Sequence, residues 1–272
     1  MGLGPARQEA LEMETAVVTG AGSGIGAAVA ERFARGGAHV GVLDASEAGA
    51  QASAERLRAG GLSAEPLVCD VTDASAVEAA IGGLAERRGG VDAAVCAAGV
   101  ASRHTIPQMD AAAWRRVIDV NLTGAFLSLK SVAAHASPAG ASITIVSSVA
   151  AEHVAYLSGV HYASSKAGIT GLVRHAAFEL GRRNIRVNAV GPGPMSNRMG
   201  GGSVDAAQQQ AAARNLPLQR VVEPADVAEV CWFLASPAAR AVTGVYLPVD
   251  CGFLTSRGAA YQRYFEAHGE AF

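Results

Sequence analysis

The sequence predicts an α/β protein built as a doubly wound parallel sheet, and two observations support this. Short apolar runs rich in β-branched residues alternate with longer segments of helical pattern along most of the 272 residues. The short runs are apolar at successive positions, which is typical of strands covered by helices on both faces. Strands and helices in this alternation form a parallel sheet through right-handed crossovers. We therefore expect one Rossmann-like domain with about seven strands.

The order of the elements follows from these runs and from the turn residues between them. Strands are predicted at 15–19, 39–44, 64–70, 91–99, 141–148, 185–193 and 244–250. Helices are predicted at 24–36, 46–59, 73–88, 110–135, 160–182, 203–215 and 224–235. No repeat or low-complexity linker divides the chain. Residues 13–252 are expected to form one domain, after a loose leader at 1–12 and before a C-terminal tail at 253–272.

The tail carries aromatic side chains at helical spacing. One face of a helix would present the residues at i, i+3, i+4 and i+7, namely Tyr261, Tyr264, Phe265 and His268. We expect this stripe to pack near a substrate pocket of the same chain or of a neighbouring copy. A frayed terminus is the alternative.

Charge and cysteine usage limit the kinds of partner. The net charge is -2 and no long charged run occurs, which argues against nucleic acid or a charged membrane as the main partner. The four cysteines lie far apart without metal-ligand spacing, at Cys69, Cys96, Cys231 and Cys251. This pattern fits free thiols in a reducing compartment and no metal site. No apolar run of membrane-spanning length is free of charges and turns, so we expect a cytoplasmic protein.

A glycine-rich turn joins the first predicted strand to the first predicted helix. The segment VTGAGSGIGAAVAERFA places Gly20, Gly22, Gly24 and Gly26 there. Glycine permits a tight turn and lets backbone N–H groups approach a pyrophosphate, and the helix N-terminus adds partial positive charge. A glycine cluster alone is weak evidence, but its place between strand and helix predicts a dinucleotide site.

Several ordered motifs give a more specific assignment. The TGxxxGxG spacing of the turn resembles that of the short-chain dehydrogenase/reductase family. Further motifs that resemble this family are CDV at 69–71, AAG at 97–99, NLTG at 121–124, SS at 147–148, YASSK at 162–166 and RVNAVGPG at 186–193. The resemblance covers about residues 13–252. It departs from the family in CAAG at 96–99 and in VDCG at 249–252, where Cys251 replaces a usual glycine.

The resemblance implies a catalytic set of Asn121, Ser148, Tyr162 and Lys166. The last two are four residues apart and share one face of a helix, so the ammonium can lie near the phenol. A free phenol has a pKa near 10, and neighbouring positive charge favours the phenolate needed for an acid/base. Ser148 would hold the substrate oxygen, with Ser147 directed to the other face. Asn121 would disturb its helix and hold a proton-relay water.

The expected cofactor is NAD, and Asp44 is the reason. A carboxylate at the end of the second strand accepts hydrogen bonds from ribose hydroxyls and repels a 2′-phosphate. Ser23 and Ala45 stand where NADP-using relatives often carry a basic residue. The resemblance also implies dinucleotide contacts from Gly20, Ser23, Gly24, Ile25, Gly26, Asp44, Asp70, Val71, Ala98, Gly99, Asn121, Tyr162, Lys166, Pro192, Gly193 and Asn197.

The substrate is expected to be a small to mid-sized, largely apolar secondary alcohol or its ketone. The variable segment 194–217 begins with several glycines and predicts a mobile lid over the pocket. The predicted substrate contacts come from the catalytic set, from the segment between Ser148 and Tyr162 and from the start of the lid. They are Ser148, His153, Tyr162, Pro194, Met195 and Met199. His161 should face away from the phenol and serve packing or an interface. A 3-oxoacyl-thioester reductase and a catalytically idle dinucleotide sensor are the alternatives.

A homotetramer is expected because two long helices carry apolar residues on more than one side. These residues are Phe126, Leu127, Leu129 and Val132 in the first helix, and Leu172, Val173, Phe178 and Leu180 in the second. A monomer would not need so much apolar helical surface.

Overall fold

A seven-stranded parallel sheet with helices on both faces forms the protein, which confirms the predicted fold class. The computed structural model describes residues 13–154, 158–197 and 204–256. The leader at 1–12, Met199 and the aromatic stripe of the tail lie outside the described residues. The strand order is β3-β2-β1-β4-β5-β6-β7, and every neighbouring pair is parallel.

The elements match the predicted ones in number of strands and in order. The strands are β1 Thr15–Thr19, β2 His39–Asp44, β3 Ala64–Val68, β4 Ala93–Cys96, β5 Ala141–Val146, β6 Ile185–Pro192 and β7 Tyr246–Val249. The helices are α1 Gly24–Arg35, α2 Glu47–Ala59, α3 Ala74–Arg88, α4 Ala111–Ile118, α5 Gly124–Ala134, α6 Gly159–Leu180, α7 Ala206–Ala213, α8 Pro224–Ala235 and α9 Phe253–Ser256.

Two boundaries differ from the prediction for a structural reason. The strand predicted at 91–99 pairs within the sheet over Ala93–Cys96. Val91 forms an isolated bridge with Ala136, and the chain beyond Cys96 leaves the sheet to line a cleft. The helix predicted at 110–135 contains a π-helical turn at Asp119–Thr123, between α4 and α5. Neither change alters the topology, but both occur beside residues of the predicted site.

The sheet separates two hydrophobic cores. Successive residues of a strand face opposite sides, so Val17 packs with one core and Val18 with the other. Helices α1, α2 and α8 cover the side of Val18, and α3, α5 and α6 cover the side of Val17. This explains why the strands are apolar at successive positions.

The helical run Ala111–Ala134 meets a length and composition criterion for a membrane span. It has 24 residues, and half of its most apolar stretch is buried inside the protein. Within it, Leu129 and Val132 pack in the core beneath the sheet. A buried core helix satisfies the same criterion, so the run requires no membrane.

The described ends of segment 194–217 are tied to the rest of the domain. Met195 forms a β-bridge with Val222, and Val204 donates its backbone N–H to the oxygen of Ser196 at 3.0 Å. The predicted lid function remains a prediction, because residues 198–203 lie outside the described part.

One departure from the family motif has a visible backbone consequence. Cys251, which stands where the family usually has glycine, adopts a φ of 54°. This left-handed conformation is unfavourable for a residue with a Cβ. Its side chain is buried in the core on the Val18 side.

Candidate active site

A cleft of about 610 Å³ opens at the carboxyl ends of the strands. It lies where the strand order reverses between β1 and β4, the place at which doubly wound sheets bind ligands. All the predicted dinucleotide contacts line it except Asn121. The predicted substrate contacts Ser148, His153, Tyr162, Pro194 and Met195 line it too.

The glycine turn has space for a backbone but not for side chains. A Cβ on Gly20, whose φ is 67°, would lie 2.7 Å from the α-carbon of Ala98. A Cβ on Gly26 would lie 2.1 Å from the carbonyl oxygen of Gly20. The two glycines therefore permit close packing of the turn on the end of β4 and on the first turn of α1.

The N-terminus of α1 fits a pyrophosphate. Ser23 is its N-cap residue, yet the Ser23 side chain makes no capping hydrogen bond, and no acidic residue occupies the first turn. The first N–H groups of a helix have no partner within the helix and attract an anion. Together with the glycine turn, this leaves a backbone cradle for the phosphates of a dinucleotide.

Asp44 fixes the turn from the end of β2. Its Oδ2 accepts a hydrogen bond from the backbone N–H of Gly22 at 2.9 Å, and its Oδ1 accepts one from Ser46 at 2.9 Å. The carboxylate also lines the cleft, where the adenosine ribose is expected. Its remaining acceptor capacity is available to ribose hydroxyls.

Sequence reasoning missed a basic side chain in the same cleft. Arg116, on α4, is exposed and lines the cleft together with Asp70 and Val71. No local motif pointed to it, because the fold brings it there from 46 positions beyond Asp70 in the sequence. Among the described residues, Arg116 and Lys166 supply the arginine and lysine side chains of the lining.

Tyr162 sits in an apolar cage at the other end of the cleft. Its ring packs with Val117 and Ala150, and Val100 packs against the same cluster. Burial raises the pKa of the Tyr162 phenol, while a hydrogen bond with Ser148 lowers it. Burial has the larger effect, so the protein alone keeps the phenol protonated.

Lys166 is buried one helical turn from Tyr162. Its Nζ donates to the carbonyl oxygen of Val146 at 2.8 Å and lies 5.6 Å from the centroid of the Tyr162 ring. Burial lowers the pKa of the ammonium to about 8. The predicted proximity is present, but Lys166 is not among the groups that lower the phenol pKa in the protein alone.

Asn121 lies in the π-helical turn, behind the cleft wall. Its Oδ1 accepts from the backbone N–H of Val100 at 2.8 Å, and its Nδ2 donates to the Val100 oxygen at 3.0 Å and to Ser165 Oγ at 3.1 Å. The amide thus ties the loop after β4 to α6. The structure places it as a support of the wall rather than on the cleft surface.

The two serines after β5 face opposite ways, as the strand alternation predicts. Ser147 is buried and its Oγ donates to the carbonyl oxygen of Lys166 at 2.9 Å. Ser148 lines the cleft, and its Oγ accepts from the backbone N–H of Ala150 at 3.1 Å. Both serines contribute to the lining, but Ser147 is 2% exposed and its hydroxyl is bonded to the backbone, so Ser148 is the serine that can face a substrate.

The wall beyond Ser148 is mostly apolar and includes residues that the sequence did not single out. These are Val100, Val149, Ala150, Val154 and Phe253. The Phe253 ring meets that of His153 edge to face, with centroids 5.1 Å apart. The one available signal was that Phe253 is a large apolar residue directly after the last strand.

The network around His161 lies outside the cleft. Its Nδ1 accepts from the backbone N–H of Tyr162 at 2.9 Å, so Nε2 carries the proton and donates to Ser102 Oγ at 2.6 Å. Ser102 Oγ also lies 3.0 Å from His104 Nδ1. Burial lowers the pKa of His161. The side chain has the packing role expected of it.

Comparisons with known proteins agree with this geometry. A family model described as enoyl-(acyl carrier protein) reductase matches residues 20–254. Cis-4-hydroxycyclohexanecarboxylate dehydrogenase of Sinomonas cyclohexanicum is 40% identical over 90% of this chain and 98% of its own. D-threitol dehydrogenase of Mycolicibacterium smegmatis is 33% identical over 89% of this chain and 94% of its own. The 3-oxoacyl-[acyl-carrier protein] reductase structure from Brucella melitensis superimposes with a TM-score of 0.79 and 32% identity. The match covers 93% of this chain and 97% of that structure's chain.

The chain belongs to the short-chain dehydrogenase/reductase family. It is an oxidoreductase that uses a nicotinamide cofactor and acts on CH–OH groups.

Proposed function

We propose that the protein is an NAD-dependent dehydrogenase of secondary alcohols, with Tyr162 as the acid/base. One observation carries this proposal: a single cleft has Asp44 at one end and the Ser148–Tyr162–Lys166 group at the other. The glycine cradle lies between them, as a dinucleotide that reaches from ribose to reacting carbon would require.

Each polar group at the reacting end has a distinct part. Ser148 Oγ accepts from Ala150 and is also hydrogen-bonded to Tyr162, so the serine hydroxyl lies beside the group that takes up the proton of the alcohol. When bound, the oxidised nicotinamide supplies the hydride acceptor. The hydroxyl proton of the alcohol passes to the Tyr162 phenolate oxygen, and the hydride of the carbinol C–H bond leaves to that acceptor, so the carbinol carbon becomes a ketone carbon. The Lys166 ammonium, with the cofactor charge, offsets the effect of burial and favours the phenolate.

The lining favours a neutral, compact and largely apolar substrate. Beyond Ser148 and Tyr162 the described wall is made mainly of Val149, Val154, Pro194, Met195 and Phe253. Among the described lining residues, Lys166 is the one lysine at this end, and its Nζ is already bonded to the carbonyl oxygen of Val146 at 2.8 Å. A ring-sized alcohol fits this apolar wall. The 40% identical relative is named for a hydroxylated cyclohexane ring that also carries a carboxylate, and the 33% identical relative is named for an open-chain polyol.

NAD is proposed over NADP because of the carboxylate of Asp44. With NAD it gains charge-assisted hydrogen bonds from ribose hydroxyls, whereas a 2′-phosphate meets a fixed negative charge. Arg116 is the competing feature, since it lines the same cleft and could pair with a phosphate. The balance between these two side chains decides cofactor choice.

A homotetramer in the cytoplasm completes the proposal. The structure corrects part of the apolar surface expected for assembly, because Leu129, Val132 and Val173 are buried in the protomer's own core. Phe126 and Phe178 remain outside, 45% and 86% exposed. These two phenylalanines, on α5 and α6, are the proposed contacts. The four buried free thiols are consistent with a reducing compartment.

A 3-oxoacyl-thioester reductase is the second candidate, favoured by the similarity to the Brucella melitensis structure. An apolar wall would also accept an acyl chain. This activity would need a route for a long thioester arm and usually goes with a cationic cleft entrance.

The test is reduced-nicotinamide absorbance with purified protein. Substituted cyclohexanols, a bicyclic alcohol, an open-chain polyol and a 3-hydroxyacyl thioester are each supplied with NAD or NADP. We expect the cyclic alcohols with NAD to give the highest kcat/KM. The highest value for the thioester with NADP would replace the proposal with the second candidate.

A further inference from the structure

The side chain of Tyr246 reaches the reactive end of the cleft from two strands away. Tyr246 begins β7, and β6 lies between β7 and β5. Nevertheless its hydroxyl donates to the carbonyl oxygen of Ser148, just past the end of β5, at 2.8 Å. The tyrosine thus crosses an entire strand to touch the backbone of the cleft serine.

A glycine in β6 makes this crossing possible. A Cβ on Gly191 would lie 2.1 Å from the Tyr246 hydroxyl oxygen and 2.4 Å from Cζ. The phenol end of the side chain therefore rests directly over the backbone of Gly191. Any side chain there would displace the ring from Ser148.

The hydrogen bond from Tyr246 holds the Ser148 carbonyl, which lies beyond the paired part of β5. Strand pairing of β5 with β6 ends at Val146, and the last bond to β6 runs from the N–H of Ser147 to the oxygen of Val190 at 2.7 Å. Ser148 then begins a short 3₁₀ turn at Val149–Ala151. The Ser148 oxygen also accepts from the N–H of Ala151 at 2.9 Å, but that bond is internal to the turn. Tyr246 ties the same oxygen to the sheet, which fixes the peptide that carries the Ser148 hydroxyl.

We infer that Tyr246 is a positioning residue that aims the Ser148 hydroxyl at the substrate oxygen and at Tyr162. It acts on the transfer step rather than on binding of the adenosine and pyrophosphate, because the glycine turn and Asp44 lie on the other half of the sheet. This inference rests on the proposed function, in which Ser148 binds the substrate oxygen.

The first experiment compares Tyr246→Phe with wild type. The ring and its packing are kept, and only the donor to Ser148 is lost. We expect kcat to fall about tenfold, equivalent to about 1.4 kcal/mol of activation free energy, with an unchanged Kd for NADH. Ser142→Ala is the matched control. It removes a buried hydrogen bond from Ser142 Oγ to the Leu234 oxygen, 2.9 Å long, at a place away from the cleft. It should leave kcat unchanged.

A double-mutant cycle tests whether Tyr246 acts through Ser148. In a Ser148→Ala background, Tyr246→Phe should have almost no further effect on kcat, because there is no hydroxyl left to aim. Gly191→Ala should reproduce the loss by displacing the ring. An undiminished effect of Tyr246→Phe in the Ser148→Ala background would overturn the inference, as would a kcat within about twofold of wild type in the single variant.

The failure of this inference differs from the failure of the proposed function. A wild-type protein that oxidises no alcohol would count against the function. The inference is then decided by crystal structures of wild type and Tyr246→Phe. A longer distance from Ser148 Oγ to the Tyr162 oxygen supports it, and an unmoved Ser148 refutes it.

Discussion

Asp44 and Gly22 are joined by a hydrogen bond of 2.9 Å, from the glycine N–H to carboxylate Oδ2. The side chain expected to select the cofactor is therefore also a brace of the phosphate-binding turn. A substitution at this position has two effects that must be separated. Loss of ribose recognition changes the ratio between cofactors, whereas loss of the brace weakens both.

Asp44→Ala should both erode the preference for NAD and weaken binding of each cofactor. We expect a wild-type preference of about a hundredfold or more in kcat/KM, since each 1.4 kcal/mol is a factor of ten. The variant should retain little of it, and Arg116 should then favour NADP. Kinetics with both cofactors measure the ratio, and Glu55→Gln on the exposed side of α2 is the control. Equal use of NADP by wild type would mean that Arg116 dominates.

Tyr162→Phe should lower kcat by about 10²–10⁴-fold, the range of a general acid/base contribution. The ring still fills its cage with Val117 and Ala150, so the free energy of unfolding and the Kd for NADH should change little. Steady-state kinetics and fluorescence titration give the two quantities. Turnover above about a tenth of wild type would remove Tyr162 from the acid/base role.

Lys166→Met should make the protein without cofactor more stable at neutral pH. Burial lowers the Lys166 pKa from 10.5 to about 8, so the folded state binds its proton less tightly than the unfolded state does. The loss of folding stability caused by burying the ammonium is fully present below pH 8 and disappears as the pH rises from 8 to 10.5. Denaturant unfolding should therefore show the stability gain of the variant shrinking over this window. Lys130→Met, at the second and exposed lysine, is the control for the substitution itself.

His161→Gln should reduce the loss of stability in acid. Burial lowers the His161 pKa below its ordinary 6.5, so this group stabilises the fold above pH 6.5 and loses that contribution as the pH falls. Glutamine can still donate to Ser102 but takes up no proton. Unfolding curves between about pH 5 and 7 measure the effect. His175→Gln, at an exposed position of α6 where the ring lies 3.7 Å from Glu179, is the control for the substitution itself. An identical pH dependence for His161→Gln would exclude His161 as the source.

Phe178→Ser should dissociate the oligomer without unfolding the protomer, because the ring is 86% exposed in the single chain. Light scattering at micromolar concentration measures the mass, and circular dichroism the fold. Val68→Ser, an exposed apolar position on β3, is the control. A monomeric mass for wild type would contradict the proposed tetramer.

The sequence predicted the fold and much of the cleft because these depend on local patterns. Tyr162 and Lys166 share a helix face by spacing, and the glycine turn is recognisable within a single segment. Arg116 and Tyr246 could not be found this way, since Arg116 meets the cleft and Tyr246 meets Ser148 only through the fold. The contact between Ser148 and Tyr246 joins residues 98 positions apart. The raised pKa of the Tyr162 phenol could not be predicted from local sequence either. The residues that bury it, Val100, Val117 and Ala150, come from three separate segments.

The reversal of strand order between β1 and β4 has a consequence for inheritance. The nucleotide half of the cleft is encoded mainly before residue 100, and the wall that faces the reacting molecule mainly after residue 145. Changes in the later stretch can therefore alter the substrate wall while the glycine turn and Asp44 stay the same. This modularity accounts for relatives named for a cyclohexane acid and for a sugar alcohol that both align along nearly the whole chain. A chimera that exchanges only the later stretch should acquire a new specificity and keep its cofactor.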